Sequence, residues 1–165
     1  MNISGINYES VVDGKGIRVV VFVSGCMHNC DGCHNPSSHS FDAGVEFTDE
    51  FQDSVVKYLQ DRSYLSGITI SGGDPMYRAS EVAGFLKKLK DKIPDISVWL
   101  YSGFTYDEIL RYKNMVEVLK LCDVLVDGRF ILEERDVSLC YRGSKNQRVI
   151  DVKKSLEREE VVLFE

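Results

Sequence analysis

Ten residues, SGCMHNCDGC from Ser24 to Cys33, hold three of the five cysteines of the chain. Cys26, Cys30 and Cys33 have the spacing C-x3-C-x2-C, and Cys122 and Cys140 lie far downstream. Three thiols this close can be reduced side chains in a loop, zinc ligands, or thiolates on an iron–sulfur cluster. Buried structural cysteines sit on core faces, not in a stretch rich in Gly, Asn and Asp. Zinc would need His28 or His34 as a fourth ligand, and structural zinc sites usually pair two ligand clusters a dozen or more residues apart. No second cluster follows here. A C-x2-C thiol oxidoreductase would use Cys30 and Cys33 but leaves Cys26 without a role. A four-iron cube held by three thiolates keeps one iron open, and an open metal position is where a substrate binds.

The elements that must position this loop follow from the patterning. IRVVVFV, Ile17 to Val23, is β-branched, apolar and short, which predicts a buried strand. The loop runs from Ser24 to about Glu46, a length usually reserved for function. Thr48 predicts an N-cap, with Asp49 and Glu50 in the first turn of a helix that reaches Asp61. GITIS is a short strand running into Gly72-Gly73-Asp74-Pro75, and ASEVAGFLKKLKDK is an amphipathic helix stopped at Pro94. ISVWLY, DVLVD and QRVIDV predict further strands, with helices over TYDEILRYK and NMVEVLKLC between the first two. His39 reads as a solvated loop residue, Cys122 and Cys140 as packed or partly exposed thiols, and Lys153 to Glu165 as a charged tail or a last strand.

Strands alternating with helices predict an α/β fold with a mostly parallel sheet, whose active site lies beyond the C-terminal strand ends. The cysteine loop, GGDP, Tyr101-Ser102-Gly103 and Asp127-Gly128 all fall at such ends, which predicts one composite site. The length, 165 residues, suits a single domain spanning residues 1–165. A net charge of −6 disfavours nucleic acid and acidic lipid as partners. The longest apolar run, Val19 to Val23, is far too short to span a bilayer, and Met1 to Tyr8 has no signal-peptide pattern. A cytoplasmic setting is therefore expected, where clustered thiols stay reduced.

The cysteine spacing on a loop after the first strand resembles the radical S-adenosylmethionine (SAM) superfamily. DGKGIRVVVFVSGC and GCHN resemble the activating enzymes of glycyl-radical proteins. ISGGDPM, VWLYSGF, VLVDGRF and YRGSKNQRVIDV resemble one family among them, the activators of anaerobic (class III) ribonucleoside-triphosphate reductase. The likeness runs from about Asn7 to Val152. The chain departs from that family at His34, where tyrosine is frequent, and at Lys15, where the family commonly has proline.

The resemblance implies an open partial (β/α) barrel of the radical SAM type, with four or five of the usual eight units. It implies a [4Fe-4S] cluster on Cys26, Cys30 and Cys33. SAM would be bound by residues from Gly32, Cys33, His34, Gly72, Gly73, Asp74, Ser102 and Asp127, with Asp74 offering an acceptor to the SAM ammonium. The implied reaction is reductive cleavage of SAM, giving a 5′-deoxyadenosyl radical that takes a hydrogen atom from a glycine of the reductase. A one-electron donor such as flavodoxin or ferredoxin would supply the electron. In so open a barrel the glycine loop of the reductase would act as the lid. Two other functions remain open: activation of a different glycyl-radical enzyme such as pyruvate formate-lyase, and a zinc-binding interaction module without catalysis.

Overall fold

The computed structural model describes residues 1–165. Its frame is one seven-stranded sheet in the order β3-β1-β2-β4-β5-β6-β7. The strands are β1 (Asn2–Ser10), β2 (Arg18–Val23), β3 (Val45–Glu46), β4 (Gly67–Gly72), β5 (Ser97–Tyr101), β6 (Val124–Asp127) and β7 (Arg148–Asp151). The helices are α1 (Asp49–Gln60), α2 (Ala79–Lys92), α3 (Tyr106–Ile109), α4 (Lys113–Leu119) and α5 (Val152–Arg158). β2, β4, β5 and β6 run parallel to one another, while β1, β3 and β7 pair antiparallel at the margins. The sheet is thus mixed, and the parallel arrangement expected from the sequence holds in its middle.

Side chains alternate across the parallel strands as the pleat requires. Val19, Val21, Val23, Ile68, Ile70, Val98, Leu100 and Leu125 face one way, into a cluster of 29 buried residues shared with α1, α2 and α4. Trp99, Val124 and Val126 belong to a second, smaller cluster, joined by Tyr101, Tyr141, Val149 and Phe164. Helical packing therefore lies on one face of the sheet.

Local chemistry explains the helix starts. The Thr48 hydroxyl accepts from the Phe51 amide and caps α1. Thr105 and Glu108 form a capping box on α3. That helix is one turn long, shorter than the periodicity of TYDEILRYK predicts, because the chain breaks at Leu110–Tyr112 before α4. β1 was hidden from sequence reasoning: its residues NISGINYES lack sustained alternation, and its register against β2 is irregular on both sides of Gly5–Asn7. The stretch from Lys153 is not a free tail. It forms most of α5, then turns back so that Leu163 bridges Ile150, and Val152 is buried in the main core. No helix is long and apolar enough to cross a membrane.

Candidate active site

The C-terminal ends of the four parallel strands enclose a cavity of about 330 Å³. Cys26, Cys30 and Cys33 open onto it, together with Gly72 at the end of β4 and Gly73 beyond it, Ser102 and Gly103 after β5, and Gly128 after β6. The composite site expected from the strand ends is therefore formed. His34 lines it too, its ring tilted against Phe130 at 4.7 Å between centroids. Gly32, Asp74 and Asp127 are not part of the lining.

The cysteine loop is moored to the sheet by its backbone. The Gly25 amide donates to the Ser38 carbonyl and the Asp74 amide to the Gly25 carbonyl. Gly73 permits this close approach: a Cβ there would lie 2.5 Å from the Gly25 carbonyl oxygen and 2.7 Å from that of Ser38. Asn35 adds a side-chain bond to the Gly72 carbonyl at 3.4 Å.

Burial pushes the Cys26 thiol up, offset in part by the backbone N–H of His28. Burial does the same at Cys30, with the Phe130 N–H as the offset. The Cys33 sulfur accepts from the Asn35 amide at 3.4 Å and lies 3.3 Å from His39 Nε2. His39 is thus half-buried and bonded into the site, a correction to its reading as a solvated loop residue. Its position six residues beyond the last cysteine gave no sign of this. The other two thiols behave as expected: Cys122 is buried and donates to the Val118 carbonyl at 3.2 Å, and Cys140 is exposed.

Asp74 is completely buried, and both of its oxygens are engaged. Oδ1 accepts from the Met76 amide at 2.9 Å and from Ser102 Oγ at 3.0 Å. Oδ2 accepts from the Gly103 amide at 2.8 Å and lies 2.6 Å from His28 Nε2. Asp127 is equally committed. It takes both arms of the Arg148 guanidinium, at 3.0 and 2.5 Å, and the Tyr106 amide at 2.7 Å. Both carboxylates expected at the cofactor are engaged by protein donors that fix the turns at the cavity.

The polar stretch Arg142 to Arg148 closes the last side of the cavity. Gln147 Oε1 accepts from the Gly143 and Ser144 amides, and its Nε2 donates to the Gly128 carbonyl at 2.9 Å. Asn146 donates to the Arg129 carbonyl at 2.8 Å. The turn after β6 is therefore laced to the loop before β7, which leaves Arg142, Gly143 and Gln147 on the cavity wall.

The donor set suits a cluster. No three Cys, His, Asp or Glu side chains converge on a point where a single ion could sit, yet all three clustered thiols reach one cavity. Three thiols on one cavity suit a four-iron cube that keeps one iron without a protein ligand. The family model that describes a 4Fe-4S single cluster domain matches residues 12–150, so a domain built around one iron–sulfur cluster is the class that fold and site define.

Relatives narrow the class. The anaerobic ribonucleoside-triphosphate reductase-activating protein of Haemophilus influenzae is 41% identical over 140 residues, that of Vibrio cholerae 42% over 140, and that of Pasteurella multocida 38% over 140. Each match covers 83% of this chain and 89% of the relative. The chain belongs to the family of anaerobic ribonucleoside-triphosphate reductase-activating proteins.

Proposed function

We propose that this protein activates an anaerobic ribonucleoside-triphosphate reductase by generating a glycyl radical on it, using SAM and a [4Fe-4S] cluster. One observation carries the reading: three cysteines with C-x3-C-x2-C spacing open onto the cavity that also exposes the Gly72–Gly73 backbone. When bound, the cluster and SAM supply the one-electron cleavage chemistry. The residues of the chain do the rest. Cys26, Cys30 and Cys33 hold the cluster and leave one iron free for SAM. Gly72 and Gly73 present backbone to the cavity, and their lack of side chains lets Val23, Gly25 and Ser38 pack directly behind them. Ser102 and His34 border the same space, with the His34 ring offering one face to an adenine, while Gly32 shapes the turn just before Cys33. Asp74 and Asp127 contribute by holding their turns. The one-electron donor is a small redox protein of the flavodoxin or ferredoxin kind, and the setting is the cytoplasm.

The sheet itself is consistent with an open partial barrel of the radical SAM type. Its parallel strands carry their helical packing on one face, as barrel strands do, whereas doubly wound sheets carry helices on both. A site bordered by so few units leaves the partner to act as the lid, since a primary radical reacts with whatever is near.

The test is anaerobic incubation with the cognate reductase, SAM and a reductant, read by electron paramagnetic resonance. A glycyl radical on the reductase is expected. 5′-Deoxyadenosine should form slowly and without matching spins when the reductase is omitted, and in step with spins when it is present. Radical formation only on pyruvate formate-lyase would transfer the assignment to that rival, and efficient multiple turnover on a small metabolite would end it.

A further inference from the structure

Two buried side-chain nitrogens in the molecule have no hydrogen-bond partner, Nδ1 of His28 and Nε of Arg78. Arg78 lies outside the cavity and stacks over Phe41. His28 lines the cavity and sits midway between two of the cluster cysteines, in Cys26-Met27-His28-Asn29-Cys30. Its side chain is 3% exposed. A polar atom so buried usually has a partner, and its solitude needs a reason.

The ring is held from every side. Nε2 lies 2.6 Å from Asp74 Oδ2. Phe104 packs edge-on at 4.7 Å between centroids, and Tyr77 lies at 5.3 Å. Gly103 leaves bare the spot where a Cβ would come within 2.5 Å of Cδ2. Asp74 is in turn fixed by Met76, Ser102 and Gly103. A carboxylate that accepts at Nε2 fixes which edge of the imidazole it faces, and so which nitrogen is left over. The chain Ser102/Gly103–Asp74–His28 thus links three strand ends through one buried carboxylate, and its free end is Nδ1 in the cluster loop.

We propose that His28 is a positioning residue for the cofactors: Asp74 orients its ring, Nδ1 is kept for a polar atom of the cofactor assembly, and Asp74 influences SAM through His28 and not by direct contact. This rests on the function proposed above and deepens it. It differs from the expectation drawn from the sequence, where Asp74 itself meets the SAM ammonium.

A double-mutant cycle separates the two roles. SAM affinity is measured anaerobically by calorimetry on reconstituted wild type, His28→Phe, Asp74→Asn and the double variant. Phenylalanine keeps the packing against Tyr77 and Phe104 and removes both nitrogens. Each single variant should weaken SAM binding by about ten-fold, the scale of one hydrogen bond to a charged group, while iron content stays at the wild-type level. In the His28→Phe background, Asp74→Asn should have almost no further effect. His28→Gln, which can still donate to Asp74, should recover part of the loss. Equal effects of Asp74→Asn in both backgrounds would overturn the proposal, because Asp74 would then act on SAM independently. So would unchanged affinity in both single variants alongside a lowered melting temperature, the mark of a purely structural brace. Failure of the wild type to bind SAM would fall on the functional reading instead.

Discussion

Both ends of the parallel strands bury charged side chains, and Arg18 at one end and Asp74 at the other are used in opposite ways. At the N-terminal end stands Arg18, 1% exposed, with no carboxylate hydrogen-bonded to it. Its guanidinium donates to Thr69 Oγ1 at 2.9 Å and to the carbonyls of Lys15, Ile68 and Ser97 at 3.2, 2.7 and 2.8 Å, and it lies 5.5 Å from the Trp99 ring. Burial lowers its pKa to about 10, which still leaves it charged at neutral pH. At the C-terminal end stands Asp74, ringed by donors from Met76, Ser102, Gly103 and His28. Arg18 spends its donors on acceptors of β4, β5 and the loop before β2, so none of its nitrogens lacks a partner. The Asp74 network ends on an atom without a partner. The Arg18 network closes within the protein, whereas the Asp74 network ends on His28 at the cavity, where the proposed cofactors would sit.

The largest effect should come from the cluster ligands. Replacing Cys26, Cys30 or Cys33 by Ala should abolish the reconstituted cluster, because two thiolates do not hold the cube in this loop. Cys122→Ala and Cys140→Ala should keep it, since one thiol is packed under α4 and the other faces solvent. Iron and sulfide analysis decides this. Loss of iron in a downstream variant with retention in a loop variant would refute the ligand assignment.

Arg18→Met should separate stability from function. It removes a charged donor from several buried acceptors and leaves them unsatisfied, a loss of about 3 kcal/mol. Chemical denaturation of the apo-protein should register it. The folded fraction should still bind iron and SAM normally, because the change lies at the far end of the strands. A large drop in SAM affinity would break the contrast between the ends.

Gly103→Ala probes the other end. The added methyl would meet the His28 ring at 2.5 Å, so the ring must shift, and ring contacts this tight cost about 1–3 kcal/mol. SAM affinity should fall more than apo-protein stability does. The same substitution at Gly84, where a Cβ meets nothing within 4 Å, is the control, and should leave SAM affinity unchanged.

Much of this contrast was legible in the sequence, and the reasons differ by element. The cysteine loop and the GGDP turn show themselves because their chemistry needs rare residues at fixed spacing. Val19 to Val23 and the α1 cap show themselves because apolar runs and capping residues are local signals. Arg18 gives none: one basic residue opening an apolar strand looks like a solvated end until the fold brings Ser97 to it, 79 positions away. The same is true of His28 and Asp74, 46 positions apart. The carboxylates of Asp74 and Asp127 were visible as candidate site residues, but their protein partners were not, because which donors surround a carboxylate is decided by other strand ends.

His39 supplies the finest test, and the smallest effect. Its Nε2 stands 3.3 Å from the Cys33 sulfur, which also accepts from the Asn35 amide. A donor to a cluster-bound sulfur stabilises the reduced, more negative state, so it raises the reduction potential. With Nε2 as the donor, His39→Phe should leave iron content intact and lower the midpoint potential. One such bond is worth about 1 kcal/mol net. For a one-electron couple, where tenfold is about 59 mV, that is roughly 40 mV. Redox titration followed by electron paramagnetic resonance measures it. A shift to higher potential would give the wrong sign for a donor. No shift at all would mean that His39 only packs against the loop. The Asn35 amide would then be the remaining donor to the Cys33 sulfur.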